Sequence, residues 1–173
     1  MTLLSRVANV LRREHIDFAL IGAAALAAHG VGRSTLDIDI LVTDPRVLGL
    51  RLGGENVTVD VRRGDADDPL AAVIRVSQPG ERDVDVVVGR FPWQQDIIRR
   101  ARTIDLEDVQ IPVADVAGII LLKLYAGGTQ DAWDVEQLLA SADRASATAA
   151  VDDSVHELPP DARALWQRLR GTR

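Results

Sequence analysis

Thr35-Leu36-Asp37-Ile38-Asp39-Ile40 reads as the start of a β-strand that carries two carboxylates on one side. Asp37 to Val42 alternates in polarity, which places Leu36, Ile38, Ile40 and Val42 on one face and Asp37 and Asp39 on the other. Strand residues two apart are separated by roughly 7 Å along the backbone, so both carboxylates serve one small volume. Like charges that close repel unless a cation lies between them or one takes a proton. Magnesium prefers oxygen ligands and commonly keeps one or two protein carboxylates beside substrate phosphates. Asp37 and Asp39 are therefore a candidate magnesium platform. Taken alone, the same alternation also suits a solvent-facing strand edge.

The neighbouring sequence adds to the pattern. Upstream, Asp17 to Ile21 predicts a short strand that runs through Gly22 into an alanine-rich helix, Ala23 to His29, with Gly30 as its stop. A helix N-terminus offers unpaired backbone N–H groups to phosphate, and small residues at Gly22, Ala23 and Ala24 allow a close approach. Tight helix–strand packing is the plainer use of the same residues. Downstream, Asp83-Val84-Asp85-Val86 repeats the acidic alternation. If that strand lies beside the first, Asp85, with Asp83 as its rival, supplies a third carboxylate, and three suit a two-metal site.

Elsewhere, Leu3 to Arg13 predicts an amphipathic helix. Asp44-Pro45 starts a short helix that ends near Gly53-Gly54. Val57 to Val61 and Ala71 to Val76 are further strands, with a polar loop over Arg62 to Pro69 between them. Gln78 to Glu81 is a turn that joins Ala71–Val76 and Asp83–Val88 into a hairpin. Pro92 to Arg102 reads as a helix, and Val109 to Pro112 as a short extended piece. Val113 to Tyr125 and Gln130 to Ala140 are helices separated by Gly127-Gly128. Ala145 to Leu158 reads as a linker, and Asp161 to Arg170 as a last helix with Leu165, Trp166 and Leu169 on one side. The fold class expected is α/β (α+β): a mixed sheet flanked by helices, followed by a helical C-terminal portion. No internal repeat or domain boundary is visible, so the chain reads as one domain, with a mixed-sheet part over 1–111 and a helical part over 112–173.

Composition narrows the chemistry. The chain has 173 residues, 47% of them hydrophobic and only 3% aromatic, so its core must come from Val, Leu, Ile and Ala. With no cysteine, disulfides, thiolate metal sites and cysteine nucleophiles are excluded. His15, His29 and His156 are too scattered in sequence to suggest zinc. A net charge of −6 argues against whole-molecule attraction to nucleic acid or anionic lipid. Arg99, Arg100 and Arg102 form either a local basic patch or a solvated helix face. The apolar run Val116 to Leu122 is too short to span a bilayer, and Met1 to Val10 lacks the pattern of a signal peptide, so a cytoplasmic protein without membrane contact is expected. Of twenty basic residues, Lys123 is the only lysine.

Three separated segments carry a resemblance. Phe18-Ala19-Leu20-Ile21-Gly22-Ala23-Ala24, then Arg33-Ser34-Thr35-Leu36-Asp37-Ile38-Asp39, resembles the minimal nucleotidyltransferases of the DNA polymerase β superfamily, nearest the branch of the AbiEii-type toxins. That family has Gly-Gly or Gly-Ser on a strand–helix turn, followed by Arg-x-Thr-x-Asp-x-Asp. Lys123, followed by Asp131-Ala132-Trp133-Asp134, resembles the same branch's lysine and Asp-x-x-Asp helix. The likeness covers roughly 15–140 of the chain. It implies that Asp37, Asp39 and Asp85 bind Mg2+ or Mn2+ and carry catalysis. It further implies that Gly22 and Ala23 meet the triphosphate through backbone N–H groups, that Arg33 and Thr35 flank the nucleotide, and that Lys123 and Asp131 also contribute to nucleotide binding. Ala23 departs from the family's second Gly or Ser and lacks a hydroxyl for the phosphate.

On this likeness the chain is expected to move a nucleoside monophosphate from an NTP to a hydroxyl. The acceptor is a tRNA or other RNA end, a protein, or a small molecule such as an aminoglycoside, and the setting is a toxin–antitoxin or phage-defence pair. A catalytically degenerate domain that binds a nucleotide or a partner is the alternative. A structural subunit that docks a partner through the apolar side of 161–170 is a third.

Overall fold

Alternating small and branched residues build strands over the first two-thirds of the chain, and the computed structural model gathers them into a single sheet. It describes residues 1–32, 37–65, 70–106 and 109–171. The strands are β1 (Phe18–Ile21), β2 (Asp37–Val42), β3 (Thr58–Arg63), β4 (Leu70–Ser77), β5 (Asp83–Gly89), β6 (Arg102–Leu106) and β7 (Val109–Val113). They form a seven-stranded sheet in the order β3-β4-β5-β2-β1-β7-β6. The sheet is mixed: β2 runs antiparallel to β1 but parallel to β5, and β1 runs parallel to β7. The expected hairpin is the antiparallel pair β4–β5.

The chain divides into two compact units, Met1–Ala24 with Ser34–Ala114, and Ala25–Arg33 with Asp115–Arg173. The first holds the sheet. Ile38, Ile40 and Val42 of β2 and Val84, Val86 and Val88 of β5 are each at most 2% exposed, so the branched face of this pair is core. Each such side chain contributes about 1.5–3 kcal/mol by leaving water. Helix α1 (Leu3–Arg13) buries Leu3, Leu4, Val7, Ala8 and Leu11, and its first turn is capped by Thr2, whose hydroxyl accepts from the Ser5 N–H at 3.2 Å. The Arg12 guanidinium lies 5.6 Å from the centre of the Phe18 ring, a cation–π contact that ties α1 to β1. Helix α2 (Gly22–Ala28) starts directly from β1, and α3 (Pro92–Arg100) follows β5. The buried Gln94 side chain accepts from the Arg90 and Phe91 N–H groups at 2.7 and 2.9 Å, which fixes the entry into α3.

The second unit is helical: α4 (Val116–Ala126), α5 (Thr129–Ser141), α6 (Arg144–Ser154) and α7 (Pro160–Gly171). Helix α4 is apolar around most of its circumference, Lys123 excepted, and packs against α5, α6 and α7. Gly127 ends it in the left-handed conformation, φ 70°, its N–H returning to the Lys123 carbonyl at 3.0 Å.

Several expectations are corrected. Residues 145–158 are not a linker: α6 and a 3-10 turn, Val155–Glu157, fill them. The loop expected from Arg62 starts later, because β3 runs to Arg63. Helix α3 stops at Arg100, and Arg102 opens β6, a strand the sequence did not suggest. Arg99, Arg100 and Arg102 thus fall on two elements, all exposed, with Arg99 paired to Asp96. The apolar side of the last helix is not a docking surface, because Leu165, Trp166 and Leu169 are 8%, 0% and 7% exposed within this chain. No described helix is long and apolar enough to cross a membrane.

Candidate active site

Register places the acidic residues together. β2 and β5 run parallel with Asp37 beside Asp83 and Asp39 beside Asp85. Residues paired in register share a face, so all four carboxylates lie on one side of adjacent strands, opposite the buried valines and isoleucines. Asp37, Asp39 and Asp83 are partly exposed, and Asp85 is buried.

Asp39 is set by its neighbour on β1. Ile21 pairs with Asp39, so the next residue, Gly22, meets the carboxylate. Gly22 has φ 64°, and a β-carbon there would lie 2.8 Å from Asp39 Cγ and overlap its Oδ2. The glycine therefore serves two needs, a left-handed backbone and room for the Asp39 side chain. α2 begins at this point, with Ala23 half-buried behind it.

The residue that sequence reasoning missed is Arg75. β4 buries Ala72, Ile74 and Val76, which turns Arg75 to the acidic face, and β4–β5 pairing sets it directly opposite Asp85. Its Nε donates to Asp85 Oδ1 at 2.8 Å and its Nη2 to Asp85 Oδ2 at 2.6 Å, a two-pronged ion pair. Nη2 also donates to Asp37 Oδ2 at 3.2 Å. The Asp85 hydrogen bonds and charge, followed by the fields of Asp37 and Asp83, hold the guanidinium well above the usual arginine range. The signal was present: a hairpin centred on Gly80 puts position 75 across from position 85.

The donors suit a divalent ion in part. Among the described residues no three His, Cys, Asp or Glu side chains gather to hold a metal. Asp37 and Asp39 still offer two hard oxygen ligands on one face, the number that magnesium accepts when phosphates complete its shell. Asp85 already has both oxygens on Arg75. Arg33 and Thr35 lie outside the described residues.

Lys123 and Asp131 belong to the second unit, where α4 and α5 bring them together. Lys123 Nζ donates to Asp131 Oδ1 at 2.8 Å and lies 2.8 Å from Asp134 Oδ2. Asp134 is fully buried, and its Oδ1 accepts from Gln130 at 3.3 Å. Asp131 Oδ2 accepts from the Gly128 N–H at 3.1 Å and so also caps α5. Burial would lower the lysine's pKa, but the bonds from Asp131 and Asp134 outweigh it and raise it above 10.5.

A cleft of about 740 Å³ in the first unit lies at the other end of β1, lined by Arg12, His15, Asp17, Phe18, Arg99 and Thr103, and takes in none of Asp37, Asp39, Asp83 and Asp85.

No protein-family model matches the chain, and no curated protein does. Solved structures do. A protein of Thermotoga maritima assigned as a nucleotidyltransferase is 19% identical with a TM-score of 0.56, over 81% of this chain and 92% of that one. The antibiotic-resistance factor ANT(2'')-Ia is 12% identical with a TM-score of 0.53, over 90% of each chain. The lincosamide antibiotic adenylyltransferase LnuA, solved with lincomycin bound, is 12% identical with a TM-score of 0.52, over 81% of this chain and 96% of its own. At these identities the likeness is one of fold, and the fold is that of nucleotidyltransferases.

Proposed function

We propose that this chain is a metal-dependent nucleotidyltransferase of the AbiEii-related branch, which moves a nucleoside monophosphate from an NTP to a hydroxyl. The observation that carries the proposal is the joint placement of Asp37, Asp39 and Gly22. Two carboxylates share one face of β2, and the second is seated against the glycine that opens α2.

In this reading Asp37 and Asp39 hold Mg2+ or Mn2+, which, when bound, screens the triphosphate and the departing pyrophosphate. Gly22 fixes the Asp39 carboxylate and, with Ala23, offers backbone N–H groups to phosphate. The acceptor oxygen bonds to the α-phosphorus, the bond from that phosphorus to the bridging oxygen breaks, pyrophosphate leaves, and the hydroxyl proton passes to solvent. The work of the chain is positioning and charge compensation. Arg33 and Thr35 flank the nucleotide. Lys123 and Asp131 are carried in this reading as further nucleotide-binding residues, the lysine as a point charge for phosphate.

The acceptor is an RNA 3′ end, a protein hydroxyl or a small molecule, and a cytoplasmic toxin–antitoxin or phage-defence pair is the biological setting proposed. One observation favours a second reading, a degenerate nucleotide-binding domain: Arg75 occupies Asp85 and touches Asp37.

The test is transfer of label from each α-labelled NTP, with magnesium, to tRNA, lysate protein or aminoglycosides, beside Asp37→Ala/Asp39→Ala. Label that moves only with the intact pair supports the enzyme and identifies its acceptor. Nucleotide binding that ignores both aspartates and the metal would establish the degenerate domain.

A further inference from the structure

We infer that β3, the strand at one end of the sheet, pairs antiparallel with the β3 of a second copy of this chain about a two-fold axis at Val61, so that two sheets continue into one. The inference concerns assembly and stands apart from the catalytic reading.

β3 is an edge strand that carries neither proline, lysine nor a bulge, the usual guards of an open edge. All six of its residues are exposed. Its register with β4 sets Val59 beside Val76 and Val61 beside Ile74. Those two partners are core, yet Val59 and Val61 are 40% and 42% exposed, so the apolar face of the sheet runs on past its cover. The direction of the open backbone groups follows from one bond. Just beyond β3, the Gly64 N–H donates to the Ala71 carbonyl at 3.0 Å. Antiparallel pairing alternates, so the even-numbered residues of β3 turn their N–H and C=O groups to β4, and Val59, Val61 and Arg63 turn theirs to the open edge.

That alternation restricts the register of a second copy. An axis between two residues would match an outward residue with an inward one, and no ladder forms. An axis at Asp60 or Arg62 sets that residue opposite itself, like charge against like. An axis at Val61 sets each Asp60 opposite the partner's Arg62, in the non-hydrogen-bonded positions where side chains lie closest. It also pairs Val61 with the partner's Val61 and brings the Arg63 stem to the partner's Val59. The charges of the sheet suit this arrangement. Outwards from Asp85 the paired positions run Asp85, Arg75, Asp60, alternating in sign toward the edge, and the partner's Arg62 is the next member of the row. Within one chain the Arg62 Nε lies 3.1 Å from Asp60 Oδ2, with the two side chains 80% and 55% exposed. Pairing merges two such exposed ion pairs into one cluster.

Sedimentation velocity of the whole chain over a concentration series tests this. Wild type is expected to dimerise with a Kd on the order of 10 μM, since one strand from each copy is a small interface. Val61→Pro removes an N–H that faces the open edge and leaves the β4 ladder intact, so it is expected to be monomeric and to melt near dilute wild type. Asp60→Arg and Arg62→Asp are each expected to weaken self-association about tenfold or more. Mixed, the two are expected to form a heterodimer, because each then meets the opposite charge at both positions. The chain has no cysteine, so an introduced one reads the register directly. Val61→Cys should oxidise to a disulfide dimer, whereas Val59→Cys, which faces the partner's Arg63, should not. Wild type that stays monomeric at millimolar concentration overturns the inference. So does a dimer that persists in Val61→Pro, a mixture of the two charge variants that stays monomeric, or a disulfide that forms as fast in Val59→Cys as in Val61→Cys. Should Val61→Pro or a charge variant fail to fold, the wild-type series and the two cysteine variants decide.

Discussion

At the scale of single residues, Gly22 and Lys123 lend themselves to experiment. Gly22→Ala imposes a left-handed conformation on an L-residue, costing about 1–2 kcal/mol, and drives a methyl into Asp39. It is expected to lower stability by that amount in urea and also to abolish Mn2+ binding. Gly30→Ala is the control: φ is 83° there, but no atom lies within 4 Å of the new β-carbon. It should lower stability similarly and leave the metal untouched; equal metal binding in both variants would break the link between Gly22 and Asp39. Lys123→Met strands two carboxylates, one fully buried, and is expected to cost about 3–5 kcal/mol. Because the folded lysine's pKa is raised, its contribution is complete below the unfolded value of 10.5 and is lost as pH rises through the folded value. Urea titrations of the two proteins should therefore differ by a constant amount from neutrality to that point and converge above it. Much of this site was legible beforehand. Asp37 and Asp39 show themselves by alternation within one strand, and Gly22 by its place between strand and helix. Arg75 was passed over, although a turn centred on Gly80 sets it across from Asp85, because its meaning comes from the strand opposite. A lone arginine in Val73-Ile74-Arg75-Val76 looks like ordinary outward polarity until the hairpin register is known.

At the scale of elements, a hydrogen-bonded centre at Asp152 joins α6 and α7, beside a bond from Arg144 to the Arg170 carbonyl at 3.2 Å. The fully buried Trp166 donates from Nε1 to Asp152 Oδ1 at 2.7 Å, and the same oxygen takes Arg170 Nη1 at 2.7 Å. Trp166→Phe keeps most of the packing and is expected to cost about 1 kcal/mol, whereas Trp166→Ala should cost about 3–5 kcal/mol. Circular dichroism melts separate the two, and near-equal losses would mean that the hydrogen bond, not the ring, holds α7. Periodicity made α1, β2, β5 and α5 readable, and α4 showed itself as a continuous apolar run. α6 escaped because Ala145 to Ser154 offers only Ala147 and Val151 as buried residues, too weak a stripe to distinguish from a polar connection. β6 escaped for a related reason: Arg-Thr-Ile-Asp-Leu is an edge strand with no buried residue, and only its pairing with β7 defines it.

At the scale of the whole chain, ligand binding should appear as stability. A nucleotide with Mn2+ at a hundredfold its dissociation constant is expected to stabilise the protein by about 2.7 kcal/mol. Asp37→Asn/Asp39→Asn should melt at the same temperature with or without that ligand, and a shift that survives in the pair would mean the ion is held elsewhere. The acidic balance, net −6, gives the chain little general attraction to a nucleic-acid backbone. The same balance was struck almost without lysine, and that has a chemical outcome. The only side-chain amine in this sequence is clamped between two aspartates and 16% exposed. Acylating reagents and conjugating enzymes that seek amines find a single internal target, protonated and largely enclosed. Its acetylation therefore reports on whether the α4–α5 pair has opened, so the chain carries a built-in probe of its own local unfolding.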